Sequence, residues 1–460
     1  MDGYRGGVSL LTGWLPTTVF IIAALLVIAA LFRRRARWYL IALPICAVVG
    51  VVCALAARTY MDSEGLAGDP APFWLWLWIG AAGAALAAWI LRLRRGGWVG
   101  RTVPLLGVVS ALVAAVLVVN QWVGYYRTVQ VAWASLSAGP LPGQTDPDQL
   151  SSLRDTKQTA GRVVPVDIPD EASGFKHRTE YVYLPPAWFA GKNPPALPAL
   201  EMIGGEFNTP ADWIRLGNAT SAADKYAQAH DGVAPIEVFV DSGGSFNNDT
   251  ECVDGPRGNS ASHLTKDVRP YVVNNFGARS DAASWGIIGW SMGGTCAMDL
   301  TVTHPDLFSS FVDIGGDLGP SSGTKAQTIS RLFGGNAAQW NAYDPMTVMA
   351  EHGKYAGVSG LFVDADGRRQ GGRGHKWKFP KGGFHRPQPQ NQAPAGFGGN
   401  GGDDFADPGA KGSSQKLCTA MKGVDIDCSI DSVGDGHTWQ SATKALTVAL
   451  PVIGAKVGVT

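Results

Sequence analysis

The chain has 460 residues, and its 38 Lys and Arg balance its 38 Asp and Glu for a formal net charge of zero. That balance lacks the basic excess a polyanion-binding surface needs, so nucleic acid is not an expected partner. The length exceeds one ordinary domain. Apolar residues concentrate before about position 125 and Asp, Asn, Gly and Pro dominate afterwards, so two units with separate cores are expected.

Four apolar stretches come first, from Trp14 to Phe32, Tyr39 to Ala57, Phe73 to Leu91 and Val103 to Val119. Each approaches the ~20 residues that cross a bilayer as a helix. The first has no basic segment before it, and three more follow, which argues against a cleaved signal peptide. Orientation follows from the short loops, because Lys and Arg stay with the cytoplasm. Arg33, Arg34, Arg35 and Arg37 follow the first stretch, and Arg92, Arg94, Arg95 and Arg101 lie between the third and fourth. The loop from Thr59 to Pro72 carries Asp62, Glu64 and Asp69 and belongs outside, together with the N-terminus and everything beyond Gln121. Trp74, Trp76 and Trp78, and further on Trp122, Tyr125 and Tyr126, suit an interfacial aromatic belt. No acidic residue or His interrupts the stretches, so anchoring is expected rather than an ion path.

These features divide the chain into a transmembrane domain over residues 1–125, a linker over 126–160 and a catalytic domain over 161–460. The stretch from Ser137 to about Thr159 is rich in Gly, Pro, Ser, Asp and Gln and reads as an exposed linker that holds the following unit off the membrane. Beyond it, β-rich runs alternate with helical ones: Arg162 to Val166, Glu180 to Leu184, Leu197 to Ile203, Ile236 to Asp241, Trp285 to Trp290, Ser310 to Ile314, Leu361 to Asp364 and Val424 to Ile430. The expected fold class is an α-helical membrane domain followed by an α/β domain with a mostly parallel central sheet. Residues 367–414 are too long and too rich in Gly, Pro and Gln for an ordinary connector and read as an insertion. Its His375 and His385 lack a metal-ligand pattern.

Six cysteines divide in the same way. Cys46 and Cys53 fall in an apolar stretch and act as small hydrophobes. Cys252, Cys296, Cys418 and Cys428 form an even set suited to disulfides in an oxidising compartment, with three pairings open.

The sequence Gly289-Trp290-Ser291-Met292-Gly293-Gly294 follows the apolar run Trp285 to Ile288 and precedes a helical stretch ending at His304. This is the strand-turn-helix setting of a nucleophile elbow, in which the glycines let strand and helix approach and Ser291 presents its hydroxyl. A hydroxyl needs a base to accept its proton, and His437, in the loop Gly434-Asp435-Gly436-His437-Thr438-Trp439, has the right place in chain order. His304 ends the elbow helix and reads as a structural cap, whereas His263 and His352 lack a comparable loop. The acid belongs after the strand ending at Val363, as Asp366 or Asp364, with Asp366 preferred because it lies further past the strand. Backbone amides of Met292 and Gly205, the latter in Gly204-Gly205-Glu206, are the expected oxyanion donors.

With the Met202-Ile203-Gly204-Gly205 loop, the elbow, His304-Pro305-Asp306-Leu307-Phe308 and Gly436-His437-Thr438-Trp439, the chain from about Pro165 to Val457 resembles the putative-esterase branch of the α/β hydrolases. That branch includes S-formylglutathione hydrolases, feruloyl esterases and mycolyltransferases, and the resemblance implies an α/β-hydrolase fold. The His-x-Trp ending is similar to mycolyltransferases and implies acyl transfer to a sugar acceptor as an alternative to hydrolysis. Mycolyltransferases carry Ala where Gly293 stands and a Glu as the acid, which the loop Asp364 to Gln370 lacks. The expectation is a multi-pass plasma-membrane serine esterase or acyltransferase with its catalytic domain outside the cytoplasm. It would act on an ester or lipid substrate through an acyl-enzyme on Ser291, with no cofactor and no metal. The rival from another class is a non-catalytic envelope scaffold.

Overall fold

The computed structural model describes residues 7–33, 36–64, 71–93, 97–137, 139–365, 412–434 and 436–459. Four long helices come first: α1 (Trp14–Leu31), α2 (Leu43–Glu64), α3 (Phe73–Arg92) and α4 (Trp98–Val123). All four are long and apolar enough to cross a membrane, the second together with a π-helical turn from Trp38 to Ala42. Their outward side chains, among them Leu25, Val51, Ile90 and Val116, are exposed, as on a surface that faces lipid. The seams use small residues. Ala23, Ala30, Ala85, Ala88, Ala111 and Ala114 are fully buried, and a Cβ on Gly50 would sit 2.6 Å from the Gly80 carbonyl oxygen.

The remainder is built on one eight-stranded sheet: β1 (Arg162–Val166), β2 (Glu180–Leu184), β3 (Ala199–Ile203), β4 (Ile236–Val240), β5 (Trp285–Trp290), β6 (Ser310–Ile314), β7 (Ser359–Asp364) and β8 (Asp427–Ser432). The spatial order is β1-β2-β4-β3-β5-β6-β7-β8, with β2 antiparallel to β1 and β4 and every later pairing parallel. Helices α6 (Pro210–Arg215), α7 (Ala219–Ala229) and the terminal helix Trp439–Lys456 pack on one face. On the other lie α8 (Arg269–Phe276), α9 (Met292–Thr303) and α10 (Ser413–Gly423), so the terminal helix is α11. Every residue of β3, β4 and β5 is buried, as a strand covered on both faces requires. This mostly parallel sheet, following four long apolar helices, is the α/β-hydrolase architecture.

Several strand ends shift by one or two residues from the sequence reading, and two differences are larger. The last strand begins at Asp427 rather than Val424, because the Ile426 N–H bonds back to Met421 O and keeps Val424 to Ile426 in the exit of α10. The linker over 126–160, whose part from Ser137 to about Thr159 reads as an exposed stand-off, is docked where its residues are described. Thr128 caps a helix α5 (Val129–Leu136), accepting from the Val131 N–H. The Arg215 guanidinium donates to the carbonyls of Ala134 and Gly139. Further on, Thr145 and Val163 exchange backbone bonds with Val163 O and Gly143 O, laying the segment along β1. Gly and Ser mark loop-like composition, but they do not reveal which carbonyls an arginine on another element will bind.

The disulfides pair Cys252 with Cys296 and Cys418 with Cys428. The first ties the segment after β4 to α9, and the second ties α10 to the edge strand β8. Cys46 and Cys53 are free.

Candidate active site

Strand β5 ends at Trp290 and α9 starts at Met292, leaving Ser291 alone at the corner with φ 58° and ψ −124°. A residue other than glycine rarely holds positive φ, and here the surroundings impose it. The Ser291 N–H donates to Ile314 O of β6 at 2.9 Å, and the Ser291 carbonyl accepts from the Gly294 N–H at 2.7 Å. Close approach explains the flanking glycines. A Cβ on Gly289 would fall 1.6 Å from Gly293 O, and one on Gly293 would fall 2.2 Å from Ile203 O. Met292 opens α9, where first-turn amides have no intrahelical partner and the helix dipole favours negative charge.

His437 reaches the corner from the loop before α11, with Nε2 2.8 Å from Ser291 Oγ. Its ring stacks on Trp290 at 4.3 Å between centroids, and Gly315 lies against its Nδ1 edge. Trp290 packs in turn against Trp439, which meets Trp213 of α6 edge-on. This aromatic stack fixes the ring plane, and no spacing rule singled out Trp290 or Trp213 beforehand. Among the other histidines, His304 ends α9, accepting from the Leu307 and Phe308 N–H groups, and His352 stacks on Tyr355.

Gly205 comes to the same corner, and a Cβ there would sit 3.2 Å from Ser291 Cβ. Its N–H, expected as an oxyanion donor, is engaged with Asn208 Oδ1 at 2.7 Å. Asn208 is itself tied down, since its carbonyl accepts from Arg178, whose guanidinium forks onto Asp241 at 2.6 and 2.9 Å. Asp364 ends β7, and its Oδ1 accepts from Ser414 Oγ at 2.5 Å. Asp366, His375 and His385 lie outside the described residues.

Several carboxyl groups of this half of the chain are buried. Burial pushes Asp313 up to about 7, although the Gly316 N–H bond to its Oδ1 opposes the shift. Burial likewise raises Asp249 to about 6 and Glu251 well above the usual carboxylate range. Glu251 and Cys252 both hold positive φ, 48° and 52°. A cluster of His177, Glu180 and His263 brings metal-ligand atoms together away from the nucleophile. The two rings stack at 4.4 Å and 22°, so their planes do not converge on one ion, and both His177 nitrogens face backbone carbonyls, of Arg178 and Ile168. The arrangement is a hydrogen-bond network anchoring β2 to the segment before α8.

The segment that follows the fourth apolar helix reaches this region directly. The Tyr125 hydroxyl donates to Asp212 Oδ2 of α6 at 2.7 Å, Gln440 Nε2 donates to Gly124 O at 3.1 Å, and Arg127 donates to Thr443 Oγ1 at 3.0 Å.

Residues 175–391 match the family described as putative esterase. An uncharacterized protein of Corynebacterium glutamicum is 29% identical over 361 residues, covering 75% of this chain and 82% of the relative. That share exceeds what residues 161–460 can hold, so the likeness runs back into the apolar helices. Among solved structures, a ferulic acid esterase is similar at 17% identity and TM-score 0.45, covering 65% of this chain and 99% of its own. An S-formylglutathione hydrolase from Agrobacterium tumefaciens is similar at 16% identity and TM-score 0.46, covering 65% and 97%. The match over residues 175–391 supports a carboxylic ester hydrolase or acyltransferase, here joined to four helices long and apolar enough to cross a membrane.

Proposed function

We propose that the domain acts outside the cytoplasm on carboxylic esters through an acyl-enzyme on Ser291. The observation that carries this reading is the 2.8 Å approach of His437 Nε2 to a serine hydroxyl held at positive φ on a helix N-terminus. His437 takes the hydroxyl proton as Ser291 Oγ adds to the ester carbonyl. The Met292 amide and the Gly204-Gly205-Glu206 loop receive the oxyanion, with Asn208 Oδ1 releasing the Gly205 N–H. Collapse of the adduct breaks the bond to the alcohol, which takes the proton back from His437. Water or an acceptor hydroxyl, deprotonated by His437, then attacks the acyl-enzyme and frees Ser291. Asp366 is the proposed acid partner of His437 and Asp364 the alternative. An extracytoplasmic site is supported by the arginine-rich loops at the opposite end of the bundle and by the two disulfides.

The test is turnover of p-nitrophenyl esters of increasing chain length by the full chain, with Ser291→Ala as control and trehalose offered as acceptor. Turnover lost in the variant supports the reading, and acyl-trehalose formation assigns transfer to a sugar rather than hydrolysis. Turnover that survives Ser291→Ala rules out the proposed nucleophile.

A further inference from the structure

Helix α5 displays an apolar face that the protein leaves uncovered. Val129, Trp133 and Leu136 recur at i, i+4 and i+7 and are 40%, 73% and 76% exposed. The helix contains no charged residue. Val131, on the opposite side, packs against the catalytic core, so the orientation of α5 is set by the protein and its outward face is fixed.

The level of α5 along the bundle axis is fixed as well. Ser9 pairs with Thr128, the Leu10 N–H donates to Arg127 O, and the Val129 N–H donates to Val8 O, each bond at 2.9 Å. The Val8 N–H donates to Gln130 Oε1 at 3.1 Å, and Gln121 Nε2 of α4 donates to Leu11 O at 2.9 Å. α5 therefore lies where α1 enters and α4 leaves the bundle. Exposed Trp14, Phe73 and Trp74 belong to the same end, because α1 and α3 both start there. The exposed apolar residues of α5 thus lie at the same end of the bundle as those of α1 and α3.

We propose that α5 is an interfacial helix whose Val129, Trp133 and Leu136 face is buried at the boundary between headgroups and acyl chains of the leaflet on the catalytic side. Such helices sink their apolar face ~5–10 Å into that boundary. The consequence for substrate rests on the function proposed above. Gly124 and Tyr125, between α4 and α5, bond to Gln440, three residues beyond His437, and to Asp212, in the helix that follows the Gly205 loop. The site is thereby held at the bilayer surface, and the substrate class is a lipid ester of that leaflet, reached without passage through bulk water.

The direct test does not depend on catalysis. In the full chain carrying Cys46→Ala and Cys53→Ala, a Trp133→Cys variant is labelled with an environment-sensitive fluorophore and reconstituted in phosphatidylcholine vesicles. Glu351→Cys, exposed on the catalytic domain, is the control. The expected result is blue-shifted emission at position 133, with quenching by lipid carrying a shallow acyl-chain spin label about threefold stronger than at position 351. Equal quenching at the two positions overturns the proposal. The substrate arm uses Trp133→Glu with Leu136→Glu. Hydrolysis of a long-chain ester carried in the same vesicles falls about tenfold while hydrolysis of a soluble short-chain ester is retained. Equal loss on both esters, or none on the embedded one, overturns the link to substrate. No Ser291-dependent turnover in the parent chain would defeat the catalytic reading, and the fluorescence would still decide the placement of α5.

Discussion

Removing the disulfides one at a time gives a test in which loop length and backbone strain point in opposite directions. Cys252 and Cys296 are separated by 44 residues and Cys418 and Cys428 by 10. Loop-closure entropy alone makes the first bridge worth about 4 kcal/mol and the second about 3 kcal/mol. The first, however, holds Glu251 and Cys252 in consecutive positive-φ conformations, each costing roughly 1 kcal/mol, and opening it lets both relax. The net loss in Cys252→Ala with Cys296→Ala is then about 2 kcal/mol, smaller than for Cys418→Ala with Cys428→Ala despite the longer loop. At roughly 2 °C per kcal/mol for a domain of this size, melting followed by intrinsic tryptophan fluorescence falls by about 4 °C in the first variant and about 6 °C in the second. Esterase activity is measured on both, and it drops further in the first because its bridge braces the nucleophile helix. A fall of about 8 °C or more in the Cys252/Cys296 variant, the full entropic value, would refute the strain argument.

Replacing Asp366 by Asn lowers kcat by roughly 10³- to 10⁴-fold while Asp364→Asn has a smaller effect, and pre-steady-state acylation rates on an activated ester distinguish the two. Asp313, raised to about 7 by burial, keeps its proton in the folded state after the unfolded chain has released its own. The native fold therefore loses stability as pH rises from about 4 to about 7, and Asp313→Asn removes that loss. The variant is more stable than the parent at pH 8, by no more than about 4 kcal/mol, and a parallel pH dependence in parent and variant would contradict the assignment. Gly293→Ala places a methyl 2.2 Å from Ile203 O and 2.6 Å from Gly204 O, both backbone atoms that cannot turn aside. Labelling by a fluorophosphonate probe should be lost even where the protein is produced, and normal labelling would show that strand and helix part easily.

The parts of the molecule that were legible beforehand are those in which local chemistry forces the structure. A serine between glycines after an apolar run has few other folds available, and strands β5 and β6 were read to the residue because their apolar runs end at Gly and Ser punctuation. The apolar stretches of the bundle declare themselves by length. Contacts between distant elements left no such mark. Nothing in Asn208 signals that it will occupy the Gly205 N–H, since the bond depends on where Arg178 and Asp241 hold the loop. Docking of residues 126–160 depends on Arg215, and the disulfide pairing on how α9 lies beside the segment after β4. The acid partner of His437 fell between Asp364 and Asp366, two residues apart on a chain leaving its strand, where spacing alone does not separate them.

The pairing of residues 8–10 with 127–129 has a bearing on how the chain is made. Two segments more than a hundred positions apart close a short ladder beside the bundle, so residues 8–10 gain these backbone partners only once the last apolar helix has emerged. The catalytic unit begins only some thirty residues later. Closure of that ladder would mark the moment in biosynthesis when the bundle of apolar helices is complete, and a nascent chain arrested after the third helix would leave residues 8–10 open to proteolysis.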